Sequence, residues 1–156
     1  MCGNIPSMPQ TATDVARYFQ KVFRDSIDFT DRAMRSLNDC ITKPEILWEC
    51  FFAIANHLTK LYGENTPAIE SAFKKACGWD MARGEGSQTR KDKKLKALRN
   101  DVYEGRPIYA EPHVRRGNDD NSNNCVRVYF CYDSITSRII ISYVGGHLDN
   151  FTTKNL

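Results

Sequence analysis

Two histidines flank a pair of strand-like runs: His113 in "EPHVRR", ahead of "CVRVYFCY", and His147 in "YVGGHLDNFTTK", after "RIIISYV". An antiparallel hairpin places the start of its first strand beside the end of its second. Both imidazoles, with Arg115, Arg116, Thr152, Thr153 and Lys154, are therefore expected at one sheet edge. Imidazoles titrate near a pKa of about 6.5. One can take the proton from a ribose 2′-OH while another group protonates the leaving 5′-oxygen, and nearby cations stabilise the phosphorane. Because the 2′-OH is an internal nucleophile, this chemistry needs positioning, proton transfer and charge, but no metal.

Period-two alternation sends Val126, Val128, Phe130 and Tyr132 to one face and Cys125, Arg127, Tyr129 and Cys131 to the other, so Arg127 and Tyr129 project together. In the second run Ile139, Ile141 and Tyr143 share one face, with Ile140, Ser142 and Val144 on the other. Both faces are apolar enough to need cover. Gly145 and Gly146 let the backbone turn sharply and set His147 beyond the sheet. The competing reading makes "GGH" a plain strand terminator.

The elements that must position these groups fall into two grammars. The first half reads as helices. Val15, Tyr18, Phe19, Val22 and Phe23 repeat at helical spacing after Thr13 or Asp14, and Ala33, Met34 and Leu37 mark a second helix. "TKPEILWECFFAIANHLTKLYG" carries a Thr42–Glu45 capping-box pattern, Pro44 in the first turn and Gly63 as a stop, and it is apolar nearly all round. His57 there fits a core or boundary residue. A fourth helix runs from Thr66-Pro67 to Gly78, with Ile69, Ala72, Phe73 and Ala76 inward. "ARGEGSQTR" then marks a boundary, giving an expected helical bundle over residues 1–85 and a basic α+β unit over residues 86–156. That unit opens with an amphipathic helix over "SQTRKDKKLKALRNDVYEG", capped by Ser87, with Leu95, Leu98 and Val102 inward and the cations outward.

At 156 residues with 41% hydrophobic and 11% aromatic content, the chain can bury a core and is not of the disordered class. No stretch approaches the roughly 20 apolar residues of a membrane span, and "MCGNIPSMPQ" lacks the pattern of a secretion signal, so a cytosolic protein with no membrane association is expected. The six cysteines are expected as free, largely buried thiols. Without a Cys-x-x-Cys pair or histidines at ligand spacing, neither a metal nor another cofactor is expected. Walker, zincin and Gly-x-Ser-x-Gly patterns are absent as well, which removes common nucleotide-hydrolysing and serine-hydrolase readings. Net charge is only +3, yet from Gly86 to Arg116 nine cations face four carboxylates. Such a block suits phosphate; it equally suits a solvated helix face.

The basic helix "KDKKLKALRNDVYEG", the strands "RVYFCYD" and "RIIISYVGGHL" and the tail "DNFTTK" together resemble the RelE/ParE-like toxins, small metal-independent ribonucleases that pair helices with a compact antiparallel sheet. The likeness covers about Ser87 to Lys154. The usual opening strand of those toxins is not evident before the basic helix, and the helical half is foreign to their minimal forms. The resemblance implies that Arg127 and Tyr129, with His147 beyond the last strand, bind phosphate or act as acid and base. The expectation is thus an α+β protein, an N-terminal helical bundle followed by a RelE-like subdomain with a basic helix packed on a short antiparallel sheet. It would be an endoribonuclease of toxin–antitoxin or phage-defence type, acting on RNA or the ribosome. His147 and His113 would transfer protons. Arg127, Arg115, Arg116 and Lys154 would hold charge and Tyr129 would position substrate, while Lys91, Lys93 and Lys94 track the backbone and Thr152 and Thr153 line the edge. A protein inhibitor or partner would bind the helical half. The alternative is a non-catalytic adaptor that binds nucleic acid or protein through the basic unit.

Overall fold

Thr11 starts the first helix, its side chain accepting from the Asp14 N–H at 3.1 Å, and α1 (Ala12–Val22) follows. Val15 and Phe19 are buried as expected, but Tyr18 and Val22 face outward. The computed structural model describes residues 9–84, 91–117 and 122–146. After α1 comes a short strand, β1 (Ile27–Phe29), and Thr30 then caps α2 (Asp31–Asn38). The long apolar run forms α3 (Pro44–Ala53), a π-helical turn (Ile54–Leu58) and α4 (Thr59–Gly63) without a break. Pro44 takes the first-turn position expected of it, but Thr42 does not cap: its hydroxyl donates to the Cys125 carbonyl at 2.5 Å, and Lys43 stands at the helix start with no side-chain cap. Gly78 ends α5 (Ile69–Cys77) with φ 82°, the left-handed conformation that favours glycine.

The basic stretch departs most from its expected form. Helix α6 is only Lys93–Ala97, capped by Asp92, whose carboxylate accepts from the N–H groups of Lys94 and Leu95. Residues beyond it turn into β3 (Asn100–Tyr103), which pairs with β4 (Arg106–Tyr109) across a Glu104-Gly105 turn. Val102 is consequently exposed rather than inward, and Arg99 is wholly buried rather than outward. Ser87 lies outside the described residues.

Five strands make the main sheet, in the order β1-β7-β6-β5-β2, with β2 (Asp80–Ala82), β5 (His113–Arg116), β6 (Val126–Asp133) and β7 (Arg138–Gly145). β1 runs parallel to β7 and the other neighbours are antiparallel, so the sheet is mixed. Strands from both sides of residue 85 share this sheet, and one core runs across the division. The helices of the first half form a layer on one sheet face. Phe51, fully buried, meets Phe19 and Phe29 edge-on at 5.8 and 5.1 Å. Truncating it to alanine would remove about 3–5 kcal/mol, as for other buried phenylalanines. α6 and the β3–β4 hairpin lie over the other face. Among the described residues no helix is long and apolar enough to cross a membrane.

Candidate phosphate-binding face

Two sheet faces follow from the register. Val126, Val128, Phe130, Ile139, Ile141 and Val144 meet the helical layer. Tyr143 does not join Ile139 and Ile141, because the pairing shifts between Tyr129 and Phe130: Tyr129 stands opposite Tyr143 while Phe130 stands opposite Ile141. Ser142 is the extra residue of a β-bulge, and the bulge turns Tyr143 to the second face and Val144 to the first.

On that second face the cross-strand pairs are His113 with Tyr129, Arg115 with Arg127, and Arg127 with Gly145. The His113 and Tyr129 rings are 4.6 Å apart, and Tyr129 and Tyr143 stand at 6.1 Å, edge to face. The Arg99 guanidinium sits 5.8 Å from the Tyr129 ring centre, which mounts the end of α6 above the same face. Three of the expected catalytic side chains thus come together, but as a packed layer: His113 is 3%, Arg127 5% and Tyr129 0% exposed.

Arg127 is the unusual member. Its Nη1 donates to the carbonyls of Arg116 and Val126 at 3.2 and 3.1 Å, and its buried Nε has no acceptor. No carboxylate among the described residues pairs with it. Directly opposite stands Arg115, exposed and also without an ion pair among the described residues. Like charges directly across a ladder repel, and a buried cation without a counter-ion costs several kcal/mol. Arg116, the next residue, faces the other way: it lies over the Trp79 ring at 3.7 Å and pairs with Glu49 at 3.2 Å. Lys91, Lys93 and Lys94 are exposed on and just before α6. His147, Thr152, Thr153 and Lys154 lie outside the described residues.

Polar clamps hold the hairpin and α6 in place. Asp101 Oδ2 accepts from Thr30 Oγ1 at 2.6 Å and from Ser142 Oγ at 2.5 Å, tying β3 to the bulge and to the start of α2. The Tyr103 hydroxyl donates to Asp28 at 2.6 Å; burial first, and then this bond, push it well above the usual phenol range. Arg106 forms a two-pronged pair with Asp133 at 3.0 and 2.9 Å, and its hydrogen bonds hold the Asp133 carboxyl below the usual carboxylate range. Burial pushes the Cys131 thiol up to about 11 and raises Cys50 further, away from the thiolate that a nucleophile needs. Cys40, Cys50, Cys77, Cys125 and Cys131 are unbridged. Among the described residues no three His, Cys, Asp or Glu side chains group as metal ligands.

Sequence reasoning missed Arg99, Asp101 and Ser142. Only Arg99 carried a signal, an arginine at inward spacing from Leu95. The sequence matches no protein-family model, and neither a curated protein nor a solved structure matches the chain.

Proposed function

We propose that this protein is a cytosolic RNA-binding adaptor whose second sheet face meets phosphate through Arg127 and Arg115, while Lys91, Lys93 and Lys94 track the backbone. The observation that carries this reading is Arg127: a buried guanidinium, opposed by a second arginine, with no carboxylate partner among the described residues. A phosphodiester supplies the missing anion, and arginine offers it two parallel N–H bonds. The burial of His113 and Tyr129 favours support of the arginines over proton transfer.

A second reading adds metal-independent cleavage by 2′-OH attack, as in the toxins the chain resembles. It is favoured by the register, since Gly145 stands opposite Arg127 and His147 follows it closely in sequence.

Both readings meet in one experiment. Labelled single-stranded RNA is titrated with protein over a range of salt in excess EDTA, and the RNA is then run on a gel. Binding is expected to weaken linearly with log salt, and Arg115→Ala should lower the slope by about 0.7, the value for one phosphate contact on a single strand. Charge reversal at Lys93 and Lys94 should remove most of the affinity. Intact RNA supports the adaptor; cleavage lost in His147→Ala supports the ribonuclease. Folded protein with no salt-dependent binding overturns both.

A further inference from the structure

On the helical side of the sheet, away from Arg115 and Arg127, a groove of about 430 Å³ opens between α3, the π-helical turn and the start of β2. Its size falls among small-ligand sites. Trp48 and Phe52 are one helical turn apart on α3 and line one wall; Phe52 is 46% exposed, a large apolar ring facing water. Trp79 forms the other wall beneath the Arg116 guanidinium. His57 lines the groove from the π-helical turn, a distortion that recurs at functional sites. At the rim Glu49 and Arg116 lie side by side, both substantially open to solvent. Arg116 spends Nη1 on Glu49, and among the described residues its side chain makes no other hydrogen bond.

Flat aromatic walls select a planar ring, and the rim selects its edge. An arginine donor beside a carboxylate acceptor matches an edge on which an acceptor adjoins a donor. Guanine presents that edge twice over: O6 and N7 accept, and N1–H and N2–H₂ donate. Adenine reverses it, placing an amino group toward the arginine and a bare ring nitrogen toward the carboxylate. Uracil has a single free donor, N3–H, between two carbonyl acceptors, so one of its acceptors would face the carboxylate where guanine offers a second donor, and its ring is smaller.

We infer that this groove binds a guanine base, stacked on Trp48 and Phe52, with its O6/N7 edge on Arg116 and its N1–H/N2–H₂ edge on Glu49. The base comes either from a free guanine nucleotide or from an unpaired guanosine in RNA; the recognition chemistry is the same. The site goes beyond the phosphate-binding face and does not depend on it.

The chain has two tryptophans, and both line the groove, so intrinsic fluorescence reads the site directly. The full chain is titrated with GMP, AMP and UMP, exciting at the red edge where the nucleotides do not absorb, and with short single strands carrying one guanosine or one adenosine. GMP is expected to give a saturable change, with AMP and UMP weaker by about tenfold or more, since the rim groups are left unpaired. If the guanosine strand responds and GMP does not, the source is RNA; if GMP responds, it is free nucleotide. Phe52→Ala should weaken all ligands alike by about tenfold through lost stacking. Glu49→Gln, at an exposed position, should abolish the preference for guanine. Charge reversal at Lys93 and Lys94, on the other side of the sheet, should leave the GMP response in place, which separates this site from the RNA reading. No saturable response to either GMP or the guanosine strand in folded protein, a preference unchanged in Glu49→Gln, or a GMP response lost with charge reversal at Lys93 and Lys94 would overturn the inference.

Discussion

Arg127→Met separates a residue kept for a ligand from one kept for the fold. Methionine is unbranched and fills an arginine stem's path with little strain. The substitution deletes two bonds from Nη1 to the carbonyls of Arg116 and Val126. At a net 1.5–3 kcal/mol each for bonds from a charged donor, that loss is about 3–6 kcal/mol. On the other side stand the desolvation of a buried guanidinium with no counter-ion, worth several kcal/mol, and the repulsion from Arg115, worth up to about 1 kcal/mol. The two sides come close to cancelling, so the variant should lie within about 1 kcal/mol of the parent. With a urea slope of about 2 kcal/mol/M, the unfolding midpoint should move by no more than about 0.5 M at unchanged slope. RNA affinity, measured on the same samples, should fall at least about tenfold, the loss of one charge-assisted contact. A variant destabilised by more than about 1 kcal/mol would refute the reasoning, since Arg127 would then be an anchor of the sheet whose charge is already satisfied.

Asp101→Ala leaves the hydroxyls of Thr30 and Ser142 without their acceptor and should cost about 2–4 kcal/mol. In a cycle with Ser142→Ala the two losses should be strongly sub-additive, and hydrogen exchange should show β3–β4 opening first. The Glu104-Gly105 turn has both φ values positive, 49° and 75°, the pattern of a type I′ hairpin. Glu104→Asn should therefore stabilise by about 0.5–1 kcal/mol in urea unfolding, since the Arg138 contact it gives up is long, at 3.7 Å, with its Glu104 end open to solvent, and worth little. Asp133 is held below the ordinary carboxylate pKa in the folded chain, so a proton binds the unfolded chain more readily. Its contribution is complete above about pH 4 and drains away as the pH falls from there toward the depressed folded value. Urea midpoints at acid and neutral pH should differ less in Asp133→Asn than in the parent; an equal difference would remove Asp133 from the account.

How far the fold could be read depended on whether local rules governed each segment. The alternation of β6 was legible because the extra residue of the bulge sits on β7, which leaves Val126, Val128 and Phe130 on one face of an unbroken strand. The same rule failed in β7 after Ile141, since the bulge at Ser142 has no glycine or proline to announce it. Strands β1 and β2 span three residues each, too short for alternation to show. Thr42 looked like a cap until tertiary structure gave its hydroxyl to Cys125. The basic helix was overextended because Leu95, Leu98 and Val102 keep helical spacing into what is a strand. At the candidate site, the grouping of His113, Arg127 and Tyr129 was legible from strand position; their burial was not, because it depends on a hairpin whose anchors, Asp101 and Arg106, lie far along the chain from Ser142 and Asp133.

The parallel seam between β1 and β7 has a consequence for biosynthesis. Ile27 waits for Ile139, so β1 leaves the ribosome more than a hundred residues ahead of the strand it pairs with. Until then the helices α1 to α5 hold Phe19, Phe51 and Phe73 without the sheet that covers them. Such long-range closure folds slowly and leaves apolar surface open to aggregation. The nascent chain should accordingly depend on holdase chaperones, and truncations ending before residue 138 should be insoluble when expressed alone.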